Sequence, residues 1–204
     1  MDHLPDTLPI FPISGALLLP RGHLPLNIFE PRYLAMIDAA LSTHRLVGIV
    51  QPIETDGPLH ETGCAGKITS FEETSDGRYI ITLTGVSRFR VQNELEQVNG
   101  YRRAQPDWKA FETDLNPVGC LDIKREALTA LLKEYFDMHN MSCQWEKIEE
   151  AKDEQLITCL AMVCPFDPRE KQALLEAPCC RARADLFMTL LELAINHKDN
   201  AARH

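Results

Sequence analysis

The sequence predicts an α+β fold, with a mixed β unit carrying one short helix over residues 1–116 and a helical bundle over 117–204. Two patterns and one bulk property point there. Over the first hundred residues, short β-branched or aromatic runs are separated by Pro, Gly and Asp. Near residue 115 the apolar spacing changes to the 3.6-residue period of helices. The 204 residues are 45% apolar and 25% charged, enough for one or two ordinary cores and unlike a disordered or fibrous chain.

Leu8 to Ile13 reads as the first strand. Its two prolines, Pro9 and Pro12, remove amide donors, which predicts a sheet edge or a strand end. Leu24 to Phe29 is a second strand, and Pro31 stands at a natural first helical position after Glu30. The helix it starts shows Tyr33, Leu34, Ile37, Ala40 and Leu41 on one face and should end near Ser42-Thr43-His44. Leu46 to Val50 returns to strand, and the turn-rich segment QPIETDGPLHET (51–62) reads as an exposed loop. Cys64–Thr74 and Arg78–Thr84 form a hairpin about Ser75-Asp76-Gly77, where Asp-Gly supplies the positive φ a tight turn needs. Strands follow at Ser87–Gln92 and Tyr101–Trp108, the second reached through Asn99-Gly100.

Beyond the break at Asp114–Gly119, Leu121, Leu128, Leu131, Leu132, Tyr135 and Phe136 mark one face of a long helix. A second helix fits Trp145 to about Val163. Asp167-Pro168-Arg169-Glu170 combines an N-cap Asp, Pro at the first helical position and Glu at the capping-box position. The last helix begins near Pro178, buries Leu186, Phe187, Leu190, Leu191 and Ala194, and frays into HKDNAARH.

Charge and motifs narrow the function. The net charge of −9 is shared, with ten cations against 15 acidic residues in 1–117 and 11 against 15 in 118–204. Nucleic acid and anionic membranes are therefore disfavoured partners. No apolar run is long enough to span a bilayer, and MDHLPDTLPI lacks the features of a signal peptide, so the expected location is cytoplasmic. Seven scattered cysteines read as reduced thiols packed in cores, with no disulfide framework.

The residues required for several chemistries are missing. Gly66-Lys67 has Glu61 where a P-loop needs glycine and Ile68 where it needs Ser or Thr. There is no Gly-x-Ser-x-Gly elbow. His60-Glu61-Thr62-Gly63-Cys64 mimics a zinc motif in spacing but lies at a loop-to-strand junction, where its two ligands do not share a helix face. No metal or cofactor is expected. Cys179 and Cys180, adjacent at a helix start, read as structural.

The most unusual chemistry lies in Pro25–Tyr33, which packs an acid, a base and two aromatics into a strand-to-helix corner. Glu30 is expected to accept from the free amides of the next helical turn, and Arg32 to pair with a carboxylate across the fold. Glu30, Pro31 and Arg32 thus form a structural corner. In Arg88-Phe89-Arg90 the alternation predicts Phe89 inward between two solvated arginines.

LPIFPI, LP-x(4)-PLNIFEPRY, GCAGKI, the DGR turn, GVSRFRV and the later KQALLEAP occur in this order over nearly the whole chain. Together they resemble the N-terminal, substrate-binding-like domain of the Lon protease, and in pattern the stand-alone bacterial Lon-domain proteins. The resemblance implies a PUA-like pseudo-barrel followed by a helical bundle. It also implies a non-catalytic module that recognises unfolded polypeptide or a partner protein, linked to protein quality control, without the ATPase and Ser-Lys protease domains of the full enzyme. Phe29, Tyr33, Arg88 and Phe89 are the expected peptide groove, with strand addition at the proline-marked edge, and Arg88→Ala is expected to fold. A PUA-like RNA-binding module is the alternative, resting on Arg78, Arg88, Arg90, Arg102 and Arg103. An enzyme using Cys64 or Cys179 is a third class.

Overall fold

The computed structural model describes residues 4–54, 57–115 and 123–201, with side chains to residue 196. Six strands form one sheet: β1 (Leu8–Pro12), β2 (His23–Ile28), β3 (Leu46–Val50), β4 (Thr62–Glu73), β5 (Tyr79–Val98) and β6 (Tyr101–Asp107). Helix α1 (Pro31–Leu41) lies between β2 and β3, and a short 3-10 helix (Lys109–Asp114) follows β6. Then come α2 (Arg125–Met138), α3 (Trp145–Glu150), α4 (Asp153–Val163), α5 (Pro168–Glu176) and α6 (Cys180–Ala201).

The strand order is β2-β5-β4-β3-β1-β6, with a further pairing of β5 to β6. Twenty-residue β5 makes the return possible. Its first half lies between β2 (Ile81↔Leu26) and β4 (Ile81↔Phe71), and its second half turns to meet β6 (Arg90↔Asp107). Two register shifts along β4 and β5 accompany this bend, as bulges do where a sheet coils. The Ser87–Gln92 expectation therefore captured the middle of a strand that runs unbroken from the hairpin turn to Asn99-Gly100. That turn has positive φ at both residues, 49° and 81°, as its Asn-Gly composition requires.

Strand β1 is internal, which corrects the edge alternative, whereas Pro12 does stand at the strand's end. The strand pairs in parallel with β3 (Ile10↔Gly48) and antiparallel with β6 (Ile10↔Arg102). The prolines are accommodated by offset: Pro9 faces only β6 and Pro12 only β3, so each has one flank without a ladder. Strand β2, whose only strand neighbour among the described residues is β5, is the open edge. The 51–62 loop also departs from expectation. Gln51 is buried and bonds to Gly15, Pro168 and Gln172, while Pro52 and Leu59 form an isolated bridge.

Apolar residues from both halves form one large core, in which Met36, Ile37, Ile81 and Leu83 join Leu132, Tyr135, Phe187 and Leu191. A smaller cluster of Leu8, Ile10, Leu46, Val50, Ala65, Phe89 and Ala104 lies within the turned sheet. The expected Trp145–Val163 helix is two helices. Arg125 donates to the carbonyls of Ile148 (2.8 Å) and Ala151 and to Asp153 (2.6 Å), so the backbone at Ala151 and Lys152 becomes extended and the ladder breaks. The Asp167 capping box is present in both directions at 2.8 Å. Helix α6 continues to Ala201 rather than fraying from His197. Leu121 and Cys120 lie outside the described residues, as does the 116/117 boundary.

Candidate functional site

The four residues expected to form a groove do not meet. Phe29 is 64% exposed, at the end of β2. Tyr33 is buried in α1 with its ring 4.2 Å from that of Phe11. Phe89 is fully buried against Trp108 in the small cluster, where no ligand reaches it.

Arg88 is 2% exposed, which overturns the expectation of a solvated arginine. Its amide and Nε donate to Asp114 Oδ2 at 3.0 and 2.8 Å, and Nη2 donates to Oδ1 at 2.9 Å. Nη1 takes the carbonyls of Leu175 (3.0 Å) and Ala177 (2.6 Å) at the end of α5, and the guanidinium lies 4.3 Å from the Phe111 ring. Arg88 ties the sheet to the helices and is not a contact surface. Alternation had only two sides to offer, and here the side away from the small core is covered by helices.

At the corner, Pro31 opens α1 and Tyr33 and Leu34 donate to the backbone carbonyl of Glu30 at 2.9 and 3.0 Å. The Glu30 carboxylate does not cap the helix. It accepts from Arg32 Nε at 2.9 Å, and Arg32 also lies 4.6 Å over the Tyr33 ring. The arginine's carboxylate is thus local, because two residues' separation brings it within reach before any distant strand does.

The arginines expected to serve RNA are mostly neutralised. Arg78 pairs with Asp76, Arg88 with Asp114, and Arg102 with Glu94 and the Gly57 carbonyl. Arg103 donates to the Glu96 carbonyl, and neither it nor exposed Arg90 has an ion pair among the described residues. Cys64 is fully buried, and loss of hydration pushes its thiol pKa strongly upward, so it is not a nucleophile. Burial likewise pushes Cys164 up to about 12 and raises Cys180, whose thiol also donates to Glu154. Cys159 and Cys179 are exposed, contrary to the expectation that the cysteines pack in cores.

A different site lies where the open strand meets the bundle. A cavity of about 380 Å³ is lined by Arg21, Gly22 and His23 at the start of β2 and, from α4 and the residue before it, by Lys152, Glu154, Gln155, Thr158, Cys159, Met162 and Val163. Its floor is Thr158, Cys159, Met162 and Val163, and Val163 is 58% exposed. Gly22 lets α4 approach: a Cβ there would sit 2.3 Å from Met162 Sδ. The turn before it holds Arg21 at φ 66°, anchored by its amide to the Gly85 carbonyl at 2.8 Å. From there Arg21 reaches the Asp114 carbonyl at 3.2 Å and pairs with Glu154.

This groove combines an apolar wall, a charged rim and an adjoining strand edge without a second strand neighbour among the described residues, the features from which small pockets for extended chains are built. Sequence reasoning missed it, though a signal existed. LITCLAMV in α4 is apolar on every face, more than one packing stripe needs. A second cleft, more polar, lies among Ile53, Glu61, Arg90, Phe111 and Glu176. Among the described residues no helix is long and apolar enough to cross a membrane.

The family profile of the ATP-dependent protease La (LON) substrate-binding domain matches residues 7–192. The chain is 26% identical over 213 residues to a Lon protease of Syntrophus aciditrophicus, covering 96% of this chain and 25% of that protein. It is 31% identical over 99 residues to a Lon protease of Desulfosudis oleivorans, covering 45% and 12%. In three dimensions it is similar to a Lon N-terminal domain protein from Xanthomonas campestris, with TM-score 0.64 and 23% identity over 90% of this chain and 97% of that one. The N-terminal domain of a Mycobacterium avium complex Lon protease gives TM-score 0.60 at 15% identity, covering 91% and 98%. The chain spans about a quarter or less of the length of these curated Lon proteases.

Proposed function

The chain belongs to the LON substrate-binding domain family, and from that premise we propose that it is a non-catalytic module that binds extended, unfolded polypeptide in the groove between β2 and α4. The observation that carries the reading is the coincidence of the apolar cavity with the start of the open strand. An added strand would satisfy its backbone on β2, while alternate side chains enter the cavity, so affinity follows apolar content rather than one sequence. The matched family is described as the substrate-binding domain of an ATP-dependent protease. In our reading, residues 1–116 are a PUA-like pseudo-barrel and 117–204 its helical subdomain, working in cytoplasmic protein quality control. Nucleic acid is not the proposed partner, given the paired arginines.

The test is binding of a fluorescent, unstructured peptide containing Leu and Phe, followed by anisotropy and by alkylation mapping. Bound peptide should protect Cys159, which lines the cavity, and leave exposed Cys179 reactive. Val163→Asp, a change at an exposed position, should weaken binding by about tenfold by placing a charge in the apolar wall. Undiminished affinity together with an unprotected Cys159 would remove the groove from the reading.

A further inference from the structure

Resting on that groove as the polypeptide site, we propose that it selects segments in which a bulky apolar residue has an Asp or Glu two residues away along the chain. The protein carries net charge −9, yet the cavity lining holds Arg21 and Lys152 against one carboxylate, Glu154. That carboxylate is already engaged by Arg21 and by the Cys180 thiol. Lys152 is exposed, stands on extended backbone just before α4, and has no carboxylate partner among the described residues. With Arg21 and Glu154 paired to each other, Lys152 is the unbalanced charge of the lining, which favours an anionic neighbour for the anchor.

The spacing follows from helix and strand geometry. With a rise of about 1.5 Å per residue, Lys152 stands about 10 Å along α4 from Cys159. An extended peptide advances about 6.6 Å in two residues and returns its side chains to the same face. The four-carbon lysine stem covers the remainder. With the anchor over Cys159, the residue two positions away faces the ammonium.

The experiment uses the full chain and fluorescent peptides with blocked ends, one Phe anchor and Asp, Ser or Lys at the two positions that lie two residues before and two residues after it. A fourth peptide carries Ser there and a free C-terminal carboxylate. The Asp peptide should bind about tenfold more tightly than the Lys peptide, with the gap shrinking at about 0.5 M salt. Lys152→Glu should remove or reverse the order of the Asp and Lys peptides. Equal affinity of the blocked Asp and Lys peptides would overturn the selectivity and leave the groove itself standing. Tighter binding by the free-carboxylate peptide than by the Asp peptide would overturn it in favour of a chain terminus. Binding by none of the four would take the groove down with it.

Discussion

Arg88 and Asp114 form a two-pronged ion pair inside the protein, with side chains 2% and 9% exposed, and the same guanidinium holds the last carbonyls of α5. One strand residue thereby joins the sheet, the 3-10 helix and the bundle. Nearby Arg183, also buried, donates to the Leu174 carbonyl at 2.9 Å, with its Nη2 unpartnered. Two buried guanidiniums converge on the end of α5, and only one carboxylate among the described residues pairs with them.

Arg88→Ala should therefore destabilise the protein by about 3–5 kcal/mol, because it strands a buried carboxylate and two carbonyls rather than merely deleting a contact. Arg88→Met combined with Asp114→Leu should recover most of that loss, since desolvation of both charges is removed together. Urea unfolding of the two variants and the parent decides it. Equal stability of Arg88→Ala and the parent would show that the pair contributes little.

Stability should fall above pH 9. The thiols of Cys64 and Cys164 ionise from a reference of 9.0 when the chain unfolds, but burial keeps them protonated in the fold, Cys164 up to about 12. The unfolded state then binds fewer protons, so each thiol subtracts about 1.4 kcal/mol per pH unit between its unfolded and folded values. Cys180 and Tyr135, also raised by burial, act in the same sense, and Lys171, lowered by burial, opposes them. Denaturant midpoints should be flat in thiol ionisation below pH 9 and decline beyond it. Cys64→Ala with Cys164→Ala should reduce that slope.

Two glycines separate backbone from side-chain constraint. A Cβ at Gly85 would lie 2.0 Å from the Leu19 carbonyl oxygen, a backbone atom held by the adjoining turn. At Gly22 the nearest obstacle is the thioether of Met162, the far end of a flexible chain. Gly85→Ala should cost about 3 kcal/mol and Gly22→Ala markedly less, with Met162 displaced into the groove and peptide affinity lowered. Comparable losses of stability in the two variants would contradict this assignment.

Much of the fold was legible because its signals are local. Pro31, the Asn99-Gly100 turn and the Asp167–Glu170 box each act within a few residues. Helix α1 shows the limit of such signals: Tyr33, Ile37 and Ala40 pack inward as periodicity indicates, but so does Met36, which the pattern left out. The break between α3 and α4 was not legible, since the agent is Arg125, more than 20 residues upstream. The site was harder still. Phe29 is exposed and Tyr33 and Phe89 are internal, a distinction that two-fold alternation and aromatic content do not make.

Sequence alone determined the order and type of most elements, the acidic balance and the family likeness, because capping, turn chemistry and hydrophobic period are short-range properties of the chain. Tertiary structure decided which strand is open, which arginine is buried and where a ligand could lie. Those depend on contacts such as Arg21 with Glu154, 133 residues apart, and Arg88 with Ala177, 89 apart. Burial and electrostatic pairing are set by what the folded chain brings to a point in space, and no local stretch of residues carries that information.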